Sequence, residues 1–111
     1  MSLCGAVALV AGASGDIGRA IAFDLLGAGA QVFMLGRNLD RLVYCLPPEG
    51  ARGRCHFLVA DLTDDDDLRR IGTEMTARGR LDVLVLSSGI YERSQEANVF
   101  VRQIEIGRAH V

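Results

Sequence analysis

The feature that most constrains this chain is an apolar run, Val7-Ala8-Leu9-Val10, that ends in Ala11-Gly12-Ala13-Ser14-Gly15-Asp16-Ile17-Gly18 and passes straight into a helical pattern. Glycines at 12, 15 and 18 let the backbone turn sharply, leave room for a bulky anion against the main chain, and allow the helix to lie close on the strand. The first amides of such a helix carry partial positive charge and have no partner inside it. A diphosphate fits there. With a second apolar run at Gln31–Leu35, the pattern reads as a dinucleotide-binding strand-turn-helix-strand unit whose contacts come from Gly12, Ser14, Gly15, Asp16, Ile17 and Gly18.

The rest of the chain repeats the alternation. Leu3–Ala11 reads as strand one and Ile17–Leu26 as a helix with Ile17, Ala20, Ile21 and Leu25 on its apolar face. Asp16 is its expected N-cap, and Gly27 and Gly29 its stop. Strand two, Gln31–Leu35, is followed by a short helix, Leu39–Cys45, that ends at Pro47-Pro48. Glu49–Gly53 reads as a loop and Arg54–Ala60 as strand three. Asp61-Leu62-Thr63 then leads into Asp64–Asp67 at the front of a helix reaching about Arg78, with Thr63 as cap and the aspartates against the positive end of the dipole. Leu81–Ser87 reads as strand four, and Ala97–Ile104 as the start of a further helix.

This order implies an α/β fold, a doubly wound parallel sheet with right-handed crossovers, and a Rossmann-type sheet of about four strands would have the strand order 3-2-1-4. Such sheets bind ligands at the C-terminal ends of their strands, where the strand order reverses. Four segments should gather there: the glycine turn, Gly36-Arg37, Asp61-Leu62 and Ser88-Gly89.

Several classes are excluded. A net charge of −2 provides no basic surface for nucleic acid. No apolar run reaches membrane-spanning length, and Met1-Ser2-Leu3-Cys4 lacks the features of a signal peptide, so a cytoplasmic protein is expected. Cys4, Cys45 and Cys55 are odd in number and read as reduced thiols. Cys55 and His56 are neighbours in a strand, so they face opposite ways and do not share a metal.

The end of strand two decides between the two nicotinamide cofactors, because a carboxylate there holds free ribose hydroxyls. This chain has Gly36 and then Arg37, with no acid nearer than Asp40. A guanidinium matches a phosphate by paired, charge-assisted hydrogen bonds, which favours NADP(H) while leaving NAD(H) open.

On these residues, from about Val7 to Ser94, the chain resembles the N-terminal half of a short-chain dehydrogenase/reductase. The family's Thr-Gly-x-x-x-Gly-x-Gly turn is similar to Ala11 through Gly18, its adenine-binding Asp-hydrophobic pair to Asp61-Leu62, and its Asn-Asn-Ala-Gly to Leu86-Ser87-Ser88-Gly89. The Gly-x-x-Gly-x-x-Gly spacing is also that of the extended branch, which includes sugar-nucleotide epimerases and dehydratases. The absence of long insertions and the Asp-Leu-Thr-Asp segment favour the compact branch. The resemblance implies hydride transfer between NADPH and a small carbonyl or alcohol, by a Tyr and a Lys four residues apart, in a protein that forms homo-oligomers. Tyr44 is followed at that spacing by Pro48 and Tyr91 by Gln95, and all twelve basic residues are arginine, so no catalytic residue is assigned.

Residues 1–104 are therefore expected to form a partial NAD(P)-binding Rossmann domain. One codon choice for Glu105–Val111 resembles the start of a sequencing adapter, and a non-native tail is expected there. With strand five beyond the chain, Val83–Leu86 should lie on an open edge and leave the product poorly soluble or partly molten. Two other classes compete: a non-catalytic nucleotide-binding regulatory module, and an S-adenosylmethionine methyltransferase. The methyltransferase should end strand two with an acid, which Gly36-Arg37 does not provide.

Overall fold

A computed structural model describes residues 2–44 and 46–87. Four parallel strands, β1 (Val7–Ala11), β2 (Gln31–Gly36), β3 (Cys55–Val59) and β4 (Val83–Leu86), form one sheet in the order β3-β2-β1-β4. The connections are α1 (Asp16–Gly27), α2 (Leu39–Val43) with a 3₁₀ turn at Glu49–Arg54, and α3 (Asp65–Ala77). This is the doubly wound α/β arrangement with the Rossmann-type strand order expected from the sequence.

Handedness explains the two layers. Right-handed crossovers carry the chain outward from β1 to β2 to β3 over one face, and the return to β4 on the far side of β1 must pass over the other. Side-chain alternation matches: Ala8, Val10, Val32 and Met34 pack with Ala22, Leu26 and Leu42 from α1 and α2. Leu9, Ala11, Phe33 and Leu35 pack on the opposite face with Leu68, Ile71 and Met75 from α3. Central strands covered on both sides need continuous apolar runs, and β1 and β2 have them. The four residues of β4 are half-buried, and among the described residues this strand pairs only with β1.

Local chemistry moves several boundaries. β1 starts at Val7 rather than Leu3, because Cys4 and Gly5 turn, with Gly5 at φ +85°. Gly36 belongs to β2, and α2 stops at Val43; Cys45 lies outside the described residues. The stretch expected as a loop before β3 is the 3₁₀ turn. Arg54 precedes β3, and its guanidinium donates to Leu26 O at 2.8 Å and Ala30 O at 2.9 Å. Helix α1 ends in a Schellman motif, with Gly29 at φ +101° and bonds from Gly29 N to Leu26 O and Ala30 N to Leu25 O.

The buried face of α1 is not the expected one. Gly18, Ala22 and Leu26 face the sheet, Ile21 and Leu25 flank them, and Ile17 is 72% exposed. The reason is steric: a Cβ on Gly18 would lie 2.3 Å from Gly12 O and 2.6 Å from Ser87 Oγ, so only small residues let the helix approach this closely. The helix expected over 97–104 and the tail at 105–111 lie outside the described residues.

Candidate functional site

At the C-terminal edge of the sheet, β1 exits through Gly12, whose φ of +76° turns the chain towards α1. The amides of Gly12 and Ala13 both donate to Leu35 O, at 2.9 and 3.2 Å, which pins the turn to the end of β2. Gly15 N donates to Gly12 O at 3.1 Å and Gly15 is the N-cap of α1, with no side chain to cap it. Among the described residues, the amides of Ser14, Asp16, Ile17 and Gly18 meet no protein acceptor. These four donors converge at the positive end of a twelve-residue helix.

Asp16 is not the cap expected from the sequence. It is the first helical residue, and its fully exposed carboxylate lies 3.8 Å from Arg19, so it leaves the amides bare. Gly15 is equally telling. A Cβ there would meet only Gly12 O at an ordinary 3.5 Å, so nothing in the protein demands glycine at this position. Beyond that one contact the Cβ position meets no protein atom within 4 Å among the described residues.

Arg37 directly follows β2 and is exposed, and among the described residues its guanidinium makes no ion pair or hydrogen bond. Gly36 O accepts from Ala60 N at 3.0 Å, so the exits of β2 and β3 are tied together. Asp61 follows. Its Oδ1 accepts from Thr63 N at 2.9 Å and Thr63 Oγ1 at 2.6 Å. Those bonds hold its carboxyl below the ordinary aspartate range, and the nearby positive charge of Arg37 adds to the effect. Thr63 is thus committed to Asp61 and does not cap α3 as expected. Asp64 does, accepting from Asp66 N at 2.8 Å and Asp67 N at 3.4 Å. Leu62 points its side chain into the α3-facing core, so only its backbone is available at the edge.

The structure thus brings Gly12, Ser14, Gly15, Asp16, Ile17, Gly18, Arg37, Asp61 and the backbone of Leu62 to one edge. Ser88 and Gly89 lie outside the described residues. Ser87, within the matched Leu86-Ser87-Ser88-Gly89 segment but not among the expected contacts, adds a brace: its Oγ donates to Ala11 O at 3.0 Å, and its amide donates to the same oxygen at 3.1 Å. These bonds brace β4 against the exit of β1. Among the described residues, no group of three or more His, Cys, Asp or Glu is placed to hold a metal.

Comparison with known proteins agrees with this architecture. Residues 6–106 match the family described as short chain dehydrogenase. The chain is 38% identical over 89 residues to the rhamnolipids biosynthesis 3-oxoacyl-(acyl-carrier-protein) reductase of Pseudomonas aeruginosa, covering 79% of this chain and 35% of that one. It is 33% identical over 111 residues to human 15-hydroxyprostaglandin dehydrogenase (NAD+), covering 96% and 42%. Among solved structures, a Pseudomonas aeruginosa RhlG/NADP active-site complex superposes with a TM-score of 0.73 at 33% identity, covering 96% of this chain and 46% of that one. The chain therefore spans less than half the length of these relatives. With the match taking in the glycine turn and all four strands, the chain belongs to the short-chain dehydrogenase family of oxidoreductases.

Proposed function

We propose that this chain forms the NADP(H)-binding part of an oxidoreductase that moves hydride between NADPH and a small carbonyl or alcohol. The observation that carries the reading is the pairing, on one sheet edge, of an uncapped helix end with an exposed arginine that makes no hydrogen bond or ion pair among the described residues. The amides of Ser14, Asp16, Ile17 and Gly18 would hold the diphosphate, and the space beside Gly15 admits it. Arg37 would take the phosphate on the adenosine ribose, and Asp61 and the Leu62 backbone would border the adenine. When bound, the nicotinamide supplies or accepts the hydride. Ser87 keeps the exits of β1 and β4 together at that edge.

The relatives do not decide the cofactor: one is seen with NADP and another is named for NAD+. Arg37 is what favours NADP(H). No lysine occurs in the chain, so the Tyr–Lys pair implied by the resemblance is not complete in it, and we expect no turnover from these 111 residues alone. Cys4 and Cys55 form no disulfide among the described residues, which supports a reducing, cytoplasmic setting. Among the described residues, no helix is long and apolar enough to cross a membrane.

A fluorescence titration with NADPH and NADH tests the reading. NADPH should bind more tightly, and Arg37→Ser should weaken NADPH by about ten- to a hundredfold, the worth of a charge-assisted contact, while leaving NADH nearly unchanged. An unmodified chain that prefers NADH would remove Arg37 from this role.

A further inference from the structure

Of the acidic run at the front of α3, one member differs from the rest. The Asp67 side chain is 30% exposed, against 90% for Asp66, because it turns back towards the sheet. Its Oδ2 accepts from Asp61 N at 2.7 Å, and its Oδ1 lies 3.4 Å from the Arg70 guanidinium. Arg70 in turn donates to Val59 O at 2.5 Å, at the last residue of β3. Two successive turns of α3 therefore grip the main chain on either side of Ala60, whose own amide is bonded to Gly36 O.

We propose that Asp67 is a positioning residue for nucleotide binding, its carboxylate fixing the Asp61 amide and so the height of the Asp61-Leu62 segment beside Arg37. The inference rests on the NADP(H) reading above. Without Asp67 the Asp61 amide has no acceptor at the base of its loop, while the Thr63 bonds within that loop persist. The loop would keep its internal shape and lose its anchor to α3. An acceptor is what the geometry asks for, so asparagine should serve and alanine should not.

The test compares Asp67→Ala, Asp67→Asn and Asp64→Ala in the full chain. Asp64→Ala strips the cap from the same helix without touching the Asp61 amide, so it controls for loss of helix stability. Asp67→Ala should raise the NADPH and NADH dissociation constants together by about tenfold, since both cofactors share the adenosine end. Asp67→Asn and Asp64→Ala should stay within about twofold of the unmodified chain. Amide hydrogen exchange gives a readout that needs no ligand: Asp61 N should lose protection in Asp67→Ala and keep it in the other two. If Asp67→Ala binds like the unmodified chain, or its Asp61 amide stays protected, the positioning role is wrong. If the unmodified chain binds neither cofactor, the NADP(H) reading fails, and the exchange result still decides whether Asp67 anchors the loop.

Discussion

Helices α1 and α3 start at the same edge of the same sheet, each directly after a strand, and they treat their first turns in opposite ways. At α3 the chain supplies its own anions: Asp64 accepts two amides, and three more aspartates stand in the first turn. At α1 it supplies glycine, and the single acid, Asp16, lies out towards Arg19. Both ends have the same dipole and the same orphan amides. The difference shows that one or two side chains decide whether a helix start is capped by its own chain or left with bare amides, and on the reading proposed above the bare end is the one that takes the anion.

The sharpest way to break the comparison is to fill the space under α1. Gly18→Ala places a methyl 2.3 Å from a backbone oxygen that cannot move aside, so it should cost about 3 kcal/mol and lower the urea midpoint accordingly. Gly15→Asp is the informative partner, because it gives α1 the kind of cap α3 has. The φ of −79° and the 3.5 Å clearance accept a side chain, so stability should hold or rise by about 0.3 kcal/mol as the new carboxylate captures an amide. NADPH binding should disappear in the same protein. A Gly15→Asp chain that is no less stable and still binds NADPH would mean that the α1 amides are not the diphosphate site.

The converse change acts on α3. Asp64→Ala should cost about 1 kcal/mol of stability in urea unfolding, with no change in nucleotide affinity. Loss of NADPH affinity matching the loss of stability would show that the two helix starts are coupled rather than separate.

Much of this contrast was legible in the residues. The apolar runs, the glycine turn and the aspartates located both helix starts, and the dinucleotide-binding pattern pointed to the Rossmann-type order β3-β2-β1-β4 that the sheet has. What was not legible depended on distances between segments. Ile17, Ala20, Ile21 and Leu25 form the more apolar stripe of α1, yet Gly18, Ala22 and Leu26 face the sheet, because the close approach of the helix start to Gly12 leaves no room for a side chain at position 18 and so sets which stripe turns inward. Thr63 and Asp64 are both good N-caps by type. Only the Asx bond from Thr63 to Asp61 shows which one is free to act. The reach of Asp67 to an amide six residues back, and of Ser87 across to Ala11, leaves no periodic trace at all.

The smallest expected effect concerns the far end of α3, where the comparison extends from anions to cations. Arg78, the C-cap of α3, lies 4.6 Å over the Phe33 ring, and the same ring stacks with His56 of β3 at 4.7 Å. Nε2 of His56 meets Gln31 Oε1 at 3.1 Å. Burial pushes the His56 imidazole below its ordinary value of 6.5, and the positive charge of Arg78 pushes it the same way. A folded-state value below the unfolded one means that the folded chain resists protonation. The stabilising contribution is therefore present above 6.5 and is lost as pH falls through the lower, folded value. Thermal melts from pH 7.5 down to 5.5 should show a falling Tm, by less than Asp64→Ala lowers it, and His56→Phe should flatten that part of the profile while keeping the stack on Phe33. Helix α1 has no such cation pair, so NADPH-induced protection of the α1 amides should not follow this titration. A Tm that holds or rises on acidification in the unmodified chain would show that His56 accepts its proton freely, and that α3 is not held at its C-terminal end by this stack.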